Sequence, residues 1–161
     1  MKKYLLSAIG TALISVALAA PLQAAEDAVS VSVEVLSEVE ITDTSGAKVL
    51  ERQPLDVATP QQTVIYKITV ENSEPDTVSN VVLNIPVADS LLVQPTTLIS
   101  DIEMVATFSA GADYQPFDEL QVADGDKLRK ATPSDIQAIK IEIPELPRDE
   151  GFFVEYDAVV K

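Results

Sequence analysis

From Val29 onward the chain alternates between apolar and polar residues. Val29, Val31, Val33 and Val35 are separated by Ser30, Ser32 and Glu34, a period of two that belongs to a strand with one buried face. At Val35-Leu36 two apolar residues stand side by side, and Val39 and Ile41 resume the alternation around Glu38 and Glu40. That slip predicts a bulge or break near Ser37. Asp43-Thr44-Ser45-Gly46 has turn chemistry, and Lys48 to Glu51 beyond it is expected to return as a short hairpin arm.

The most regular stretch follows Pro54 and Pro60. Val64, Tyr66, Ile68 and Val70 point to one face and Thr63, Ile65, Lys67 and Thr69 to the other, until Asn72-Ser-Glu-Pro75 closes the run. Val81, Leu83 and Ile85 predict the next strand, ended by Pro86. Shorter apolar runs lie at 91–93 and 98–99, and Met104, Ala106 and Phe108 alternate again before Gly111. Between Ala112 and Asp135 the pattern thins around an Asp124-Gly125-Asp126 turn, and Thr132-Pro133-Ser134-Asp135 has the form of one helical turn. Ile139, Ile141 and Ile143, then Val154, Tyr156, Ala158 and Val160, predict two final strands. Seven to nine strands and almost no helix predict an all-β fold, a two-sheet sandwich.

The residues before this pattern read differently. Met1-Lys2-Lys3-Tyr4 is charged, Leu5 to Ala20 carries no charge, and Pro21-Leu-Gln-Ala24-Ala25 supplies small residues for cleavage. This is the form of a secretory signal peptide, removed after Ala24 or Ala25. The expected organisation is therefore a signal at 1–24 and a single domain at 25–161, located in the periplasm, secreted or at the cell surface. No stable membrane insertion is expected after cleavage.

Composition then removes whole classes of chemistry. The chain has 11 basic and 26 acidic residues and a net charge of −15. Loss of Lys2 and Lys3 with the signal leaves it more acidic still, which disfavours nucleic acid and anionic membrane surfaces as partners. Cysteine and histidine are both missing. Disulfides, thiol or Ser-His nucleophiles and His-ligated zinc are thereby excluded, and the protein is expected not to be an enzyme. Adjacent acids such as Glu38 with Glu40 or Asp149 with Glu150 follow from the abundance of acids, and show no defined separation of a catalytic pair. No cofactor is expected. Calcium is the one metal that the sequence leaves open, with Asp124 and Asp126 as ligand candidates and the Asp43 turn as a second acidic loop. Phe152 and Phe153 are adjacent, so a regular strand turns one of them outward.

Thr59-Pro60-Gln61-Gln62-Thr63-Val-Ile-Tyr66-Lys-Ile68-Thr-Val70-Glu-Asn72, with Val78-Ser-Asn80-Val81 and Pro86 beyond it, resembles a conserved-repeat domain of bacterial and archaeal surface proteins, catalogued as domain of unknown function eleven. The resemblance is closest over residues 59 to 87. It implies an immunoglobulin-like β-sandwich, exported, in a single-copy form and without assigned catalysis. The chain departs from the family pattern at Gln61-Gln62, where the family has Gly-Asp, and at Ser73-Glu74-Pro75, where it has glycine.

The expected function is binding or structural association at the cell envelope, through a protein partner or through self-association. Contact candidates are Ile65 and Lys67 on the outward face of the most regular strand, Asn72 at its terminal turn, and Phe153. Two alternatives stand beside this reading. Val29 to Val35 could complete another subunit's sheet as a donor strand, or the protein could be a calcium-dependent binding module.

Overall fold

The computed structural model describes residues 29–161, so the signal segment and its cleavage site lie outside the described residues. Twelve strands and two single 3₁₀ turns make up the elements, an all-β arrangement of packed sheets. The count exceeds seven to nine because several strands are only two to four residues long and carry too little sequence for a period to register.

The first sheet contains β1 (Val29–Thr42), β2 (Lys48–Pro54), β3 (Thr63–Asn72) and β12 (Gly151–Val160) in the order β2-β1-β3-β12, with β5 (Leu91–Val93) and β6 (Ile99–Ser100) both paired to β12. The second sheet has the order β4-β11-β7-β8, from β4 (Val78–Pro86), β7 (Val105–Ser109), β8 (Tyr114–Gln115) and β11 (Ala138–Leu146). A separate hairpin pairs β9 (Gln121–Asp124) with β10 (Lys127–Lys130). Every pairing is antiparallel.

The alternation seen in the sequence is the alternation of the core. Val64, Tyr66, Ile68 and Val70 of β3 and Phe152, Val154, Tyr156 and Ala158 of β12 meet Leu83, Phe108, Ile139, Ile141 and Ile143 of the second sheet in one buried cluster. Tyr66 and Tyr156 are directly opposed across the β3–β12 pair, and their rings stack with centroids 5.3 Å apart and planes 6° from parallel. Burial of both rings raises both phenols above their ordinary pKa.

The expected bulge at Ser37 does not form. Leu36 pairs with Ile65 of β3 and also with Pro54 of β2, and both registers run through without interruption. The slip in the pattern instead marks a hand-over: residues 29–36 run beside β3, and residues 36–42 leave the core to run beside β2. Leu36 is apolar on the outer side because its neighbour there is Ile65. Past Ser37, which is still buried, the arm is mostly exposed, and β2 is exposed along its whole length.

A true phase slip occurs elsewhere. Asn80 takes φ 57° and lies across from Pro144, between the paired residues Val81↔Ile143 and Ser79↔Glu145. Two consecutive exposed residues therefore appear on both strands, while Val78 and Leu146 turn back towards the interior. The helical turn at Pro133–Asp135 forms as expected, closed by a reciprocal capping box between Thr132 and Asp135.

Candidate functional site

The outer face of the first sheet collects most of the residues singled out in the sequence. Strand parity sends Ile65, Lys67 and Thr69 of β3 outward with Phe153, Glu155 and Asp157 of β12. Lys67 Nζ stands 5.4 Å from the centre of the Phe153 ring, a cation–π contact. Phe152 packs inward and Phe153 outward, and the backbone of Phe153 is pinned by Asp101 Oδ1, which accepts its N–H at 2.8 Å, and by Ser100 Oγ, which donates to its carbonyl at 2.8 Å.

Ile65 also points outward, but it is only 6% exposed. Its direct neighbours are Leu36 and Asp157, and Arg52 reaches across this part of the face from β2 to β12. Arg52 Nη1 donates to Glu155 Oε2 at 2.7 Å, and its Nε lies 3.5 Å from Glu38 Oε1. Ile65 is therefore an interior residue of a small outer layer, which corrects its reading as a contact residue. Glu155 is buried beside this guanidinium, and Asp157 is held above its ordinary pKa by burial first and then by the charges of Glu38 and Glu155, with Arg52 opposing them. The face thus holds three carboxylates around one guanidinium, next to the Lys67–Phe153 pair.

Asn72 is not a surface residue either. It is 3% exposed, and its side-chain amide donates to the carbonyls of Asp76, Leu146 and Pro147 at 2.9 to 3.1 Å while its oxygen accepts the Glu74 N–H at 2.9 Å. The chain crosses from the first sheet to the second after β3 and back again before β12, and Asn72 ties the two crossings together. Its position at a strand end was legible; its partners Leu146 and Pro147, 74 and 75 residues away, were not.

Asp124 and Asp126 flank the β9–β10 turn, where Gly125 takes φ 62°. Among the described residues no group of three or more acidic side chains gathers to hold a metal. The Asp43 loop uses its carboxylate internally: Oδ1 accepts from Ser45 N, Ser45 Oγ and Ala47 N at 2.8, 2.6 and 2.9 Å. These bonds hold Asp43 below the usual carboxylate pKa, and they account for the turn with no ion.

A second region was not legible in the sequence. A cleft of about 340 Å³ opens between the β9–β10 hairpin, the Pro133–Asp135 turn and the C-terminal end of β12. Arg129 and Asp135 in its lining are already paired with each other. Arg129 donates twice to Asp135, at 2.7 and 2.8 Å, and Asp135 also accepts from Thr132 N and Oγ1. Arg129 first, then Thr132, holds the Asp135 carboxyl far below the ordinary range. Lys161 Nζ donates to the Asp89 carbonyl at 2.6 Å. A carboxylate locked as an ion is a strut rather than a proton donor.

The donor-strand alternative bears on β1, which in this structure pairs over residues 29–36 with its own β3. Among the described residues no helix is long and apolar enough to cross a membrane. No family model, curated protein or solved structure matches this chain.

Proposed function

We propose that the protein is an exported β-sandwich of immunoglobulin-like type that works without catalysis, by binding or structural association in the periplasm or at the cell surface. The observation that carries the reading is the outer face of the first sheet, where the Phe153 ring and the Lys67 cation meet beside a polar rim of Arg52, Glu38 and Asp157. Aromatic and cationic groups with a charged rim are the composition that protein interfaces favour.

Two further features support it. The export half rests on the charged, apolar and small-residue order of Met1 to Ala25. The family resemblance gains support from Gln61, which takes φ 67° at the position where the family pattern carries glycine.

The test is a photo-crosslinking residue placed at 153 in cells producing the full chain, with the same residue at Thr44, on the far turn, as control. A discrete adduct at 153 that is missing at 44 and lost in Lys67→Glu is the expected result. Equal labelling at both positions would remove this face as a binding surface.

A further inference from the structure

We infer that two copies of this chain associate edge to edge through the first half of β1, forming one continuous sheet across a twofold axis at Ser32. The inference rests on the reading of the protein as an associating β-sandwich, and it names the partner as a second copy.

Residues 29–34 of β1 pair with β3 on one side and, among the described residues, with no strand on the other. Leu55 donates its N–H to the Val35 carbonyl at 2.9 Å from the β2 side, so the odd-numbered residues of β1 aim their backbone groups away from β3. In residues 37–41 those groups bond to β2, whose pairing stops at Leu36↔Pro54. At Val29, Val31 and Val33 no strand among the described residues meets them.

Open edges are ordinarily blunted against pairing with other chains, and four others here are. β2 carries Lys48, Arg52 and Pro54. β4 is kinked at Asn80 and ends at Pro86. β5 and β8 have three and two residues, each followed within two positions by proline. The run Val29-Ser-Val-Ser-Val-Glu-Val35 has no lysine, proline, glycine or bulge. Its valines are only half-buried where they pack at the margin of the core.

The sequence of this edge is also complementary to itself. Antiparallel pairing about Ser32 sets Val31 opposite Val33 of the second copy on the inner side, and the pairing stops short of Val35, whose carbonyl Leu55 already holds. On the outer side Ser32 meets Ser32, and Ser30 meets Glu34. No two acids face each other, which matters in a chain of net charge −15. Val31 and Val33 would exchange four backbone hydrogen bonds around the axis. The axis is perpendicular to the sheet, so the Lys67–Phe153 faces of both copies lie on the same side, and a partner could be engaged twice.

The experiment uses the mature full-length protein in sedimentation velocity at micromolar concentration, with register read by cysteine pairs in a chain that has no cysteine of its own. Ser32 of one copy would stand directly opposite Ser32 of the other as a non-hydrogen-bonded pair, with Cα atoms about 4.5 Å apart, within disulfide reach. A dimer is expected, converted to monomer by Ser32→Lys. Ser32→Cys should crosslink to itself under mild oxidation. Ser30→Cys should not, yet should crosslink to Glu34→Cys when the two are mixed. A dimer with equal crosslinking of Ser32→Cys and Ser30→Cys would overturn the register and the proposal. A monomeric parent protein would overturn it outright; if that monomer still crosslinked through residue 153, the binding face would stand without the dimer.

Discussion

Arg52 Nη1 lies 2.7 Å from Glu155 Oε2 although two strands, β1 and β3, separate the strands that carry them. This ion pair joins the protruding arm to the outer face of the core sheet, and it is the only bridge to the buried Glu155 carboxylate among the described residues. Arg52→Ala leaves that carboxylate beside Glu38 and Asp157 without its ion-pair partner. A loss of about 2 kcal/mol is expected, below the cost of a fully buried pair because Arg52 itself is half exposed. Urea unfolding checks it, and adding Glu155→Gln should restore part of the loss.

Asp157 makes stability depend on pH in the direction opposite to most carboxylates. Its folded pKa lies above the unfolded value, so between about pH 4 and the folded value the native state holds a proton that the unfolded chain has released. Stability contributed here is present at low pH and falls as pH rises through that window. Asp157→Asn should raise the melting temperature at neutral pH, and the difference from the parent should vanish towards pH 3. Asp135 has the reverse sign: its depressed pKa gives stability that is lost as pH falls below the ordinary carboxylate range. Asp135→Asn should therefore flatten the acid limb of the same series.

Asn72→Ala removes the amide that satisfies three carbonyls at the crossings between sheets. Buried acceptors without donors cost about 1 to 3 kcal/mol, and hydrogen exchange should quicken at Glu74, whose N–H loses its acceptor. A contact residue would instead leave stability unchanged and affect only binding.

Gln61 occupies the left-handed region at φ 67° in a turn closed by Gln62 N–H to the Thr59 carbonyl at 3.1 Å, with Pro60 ahead of it. This is the turn position that favours glycine. Gln61→Gly should stabilise the protein by about 0.5 to 1 kcal/mol, the relief of the side-chain clash less the extra chain entropy of glycine. Thermal unfolding of the pair of proteins gives the answer.

With no third carboxylate gathered near Asp124 and Asp126 among the described residues, millimolar calcium should leave the melting temperature unchanged, in the parent and in Asp126→Ala alike. A rise in the parent that the variant lacks would reinstate the site.

The faces of the strands were readable from the residue pattern alone. Period-two alternation assigned Val64 to Val70, Ile139 to Ile143 and Val154 to Val160 to the interior, because side-chain direction in a strand depends only on parity. It also turned Phe153 and Lys67 outward, each on its own strand, without making those strands neighbours. Turn chemistry was equally local: the Asp43 loop and the Thr132–Asp135 box close on residues two to four positions away. Which outward residues stay in water depends instead on how the strands assemble. Ile65 and Lys67 are two residues apart with the same parity, yet one is covered and the other meets an aromatic ring. The difference comes from where β1 leaves β3, and so from where Arg52 arrives. The Asn72 clamp, the paired cleft and the open edge of β1 were hidden for the same reason: each depends on which strands become neighbours, and parity carries no information about that.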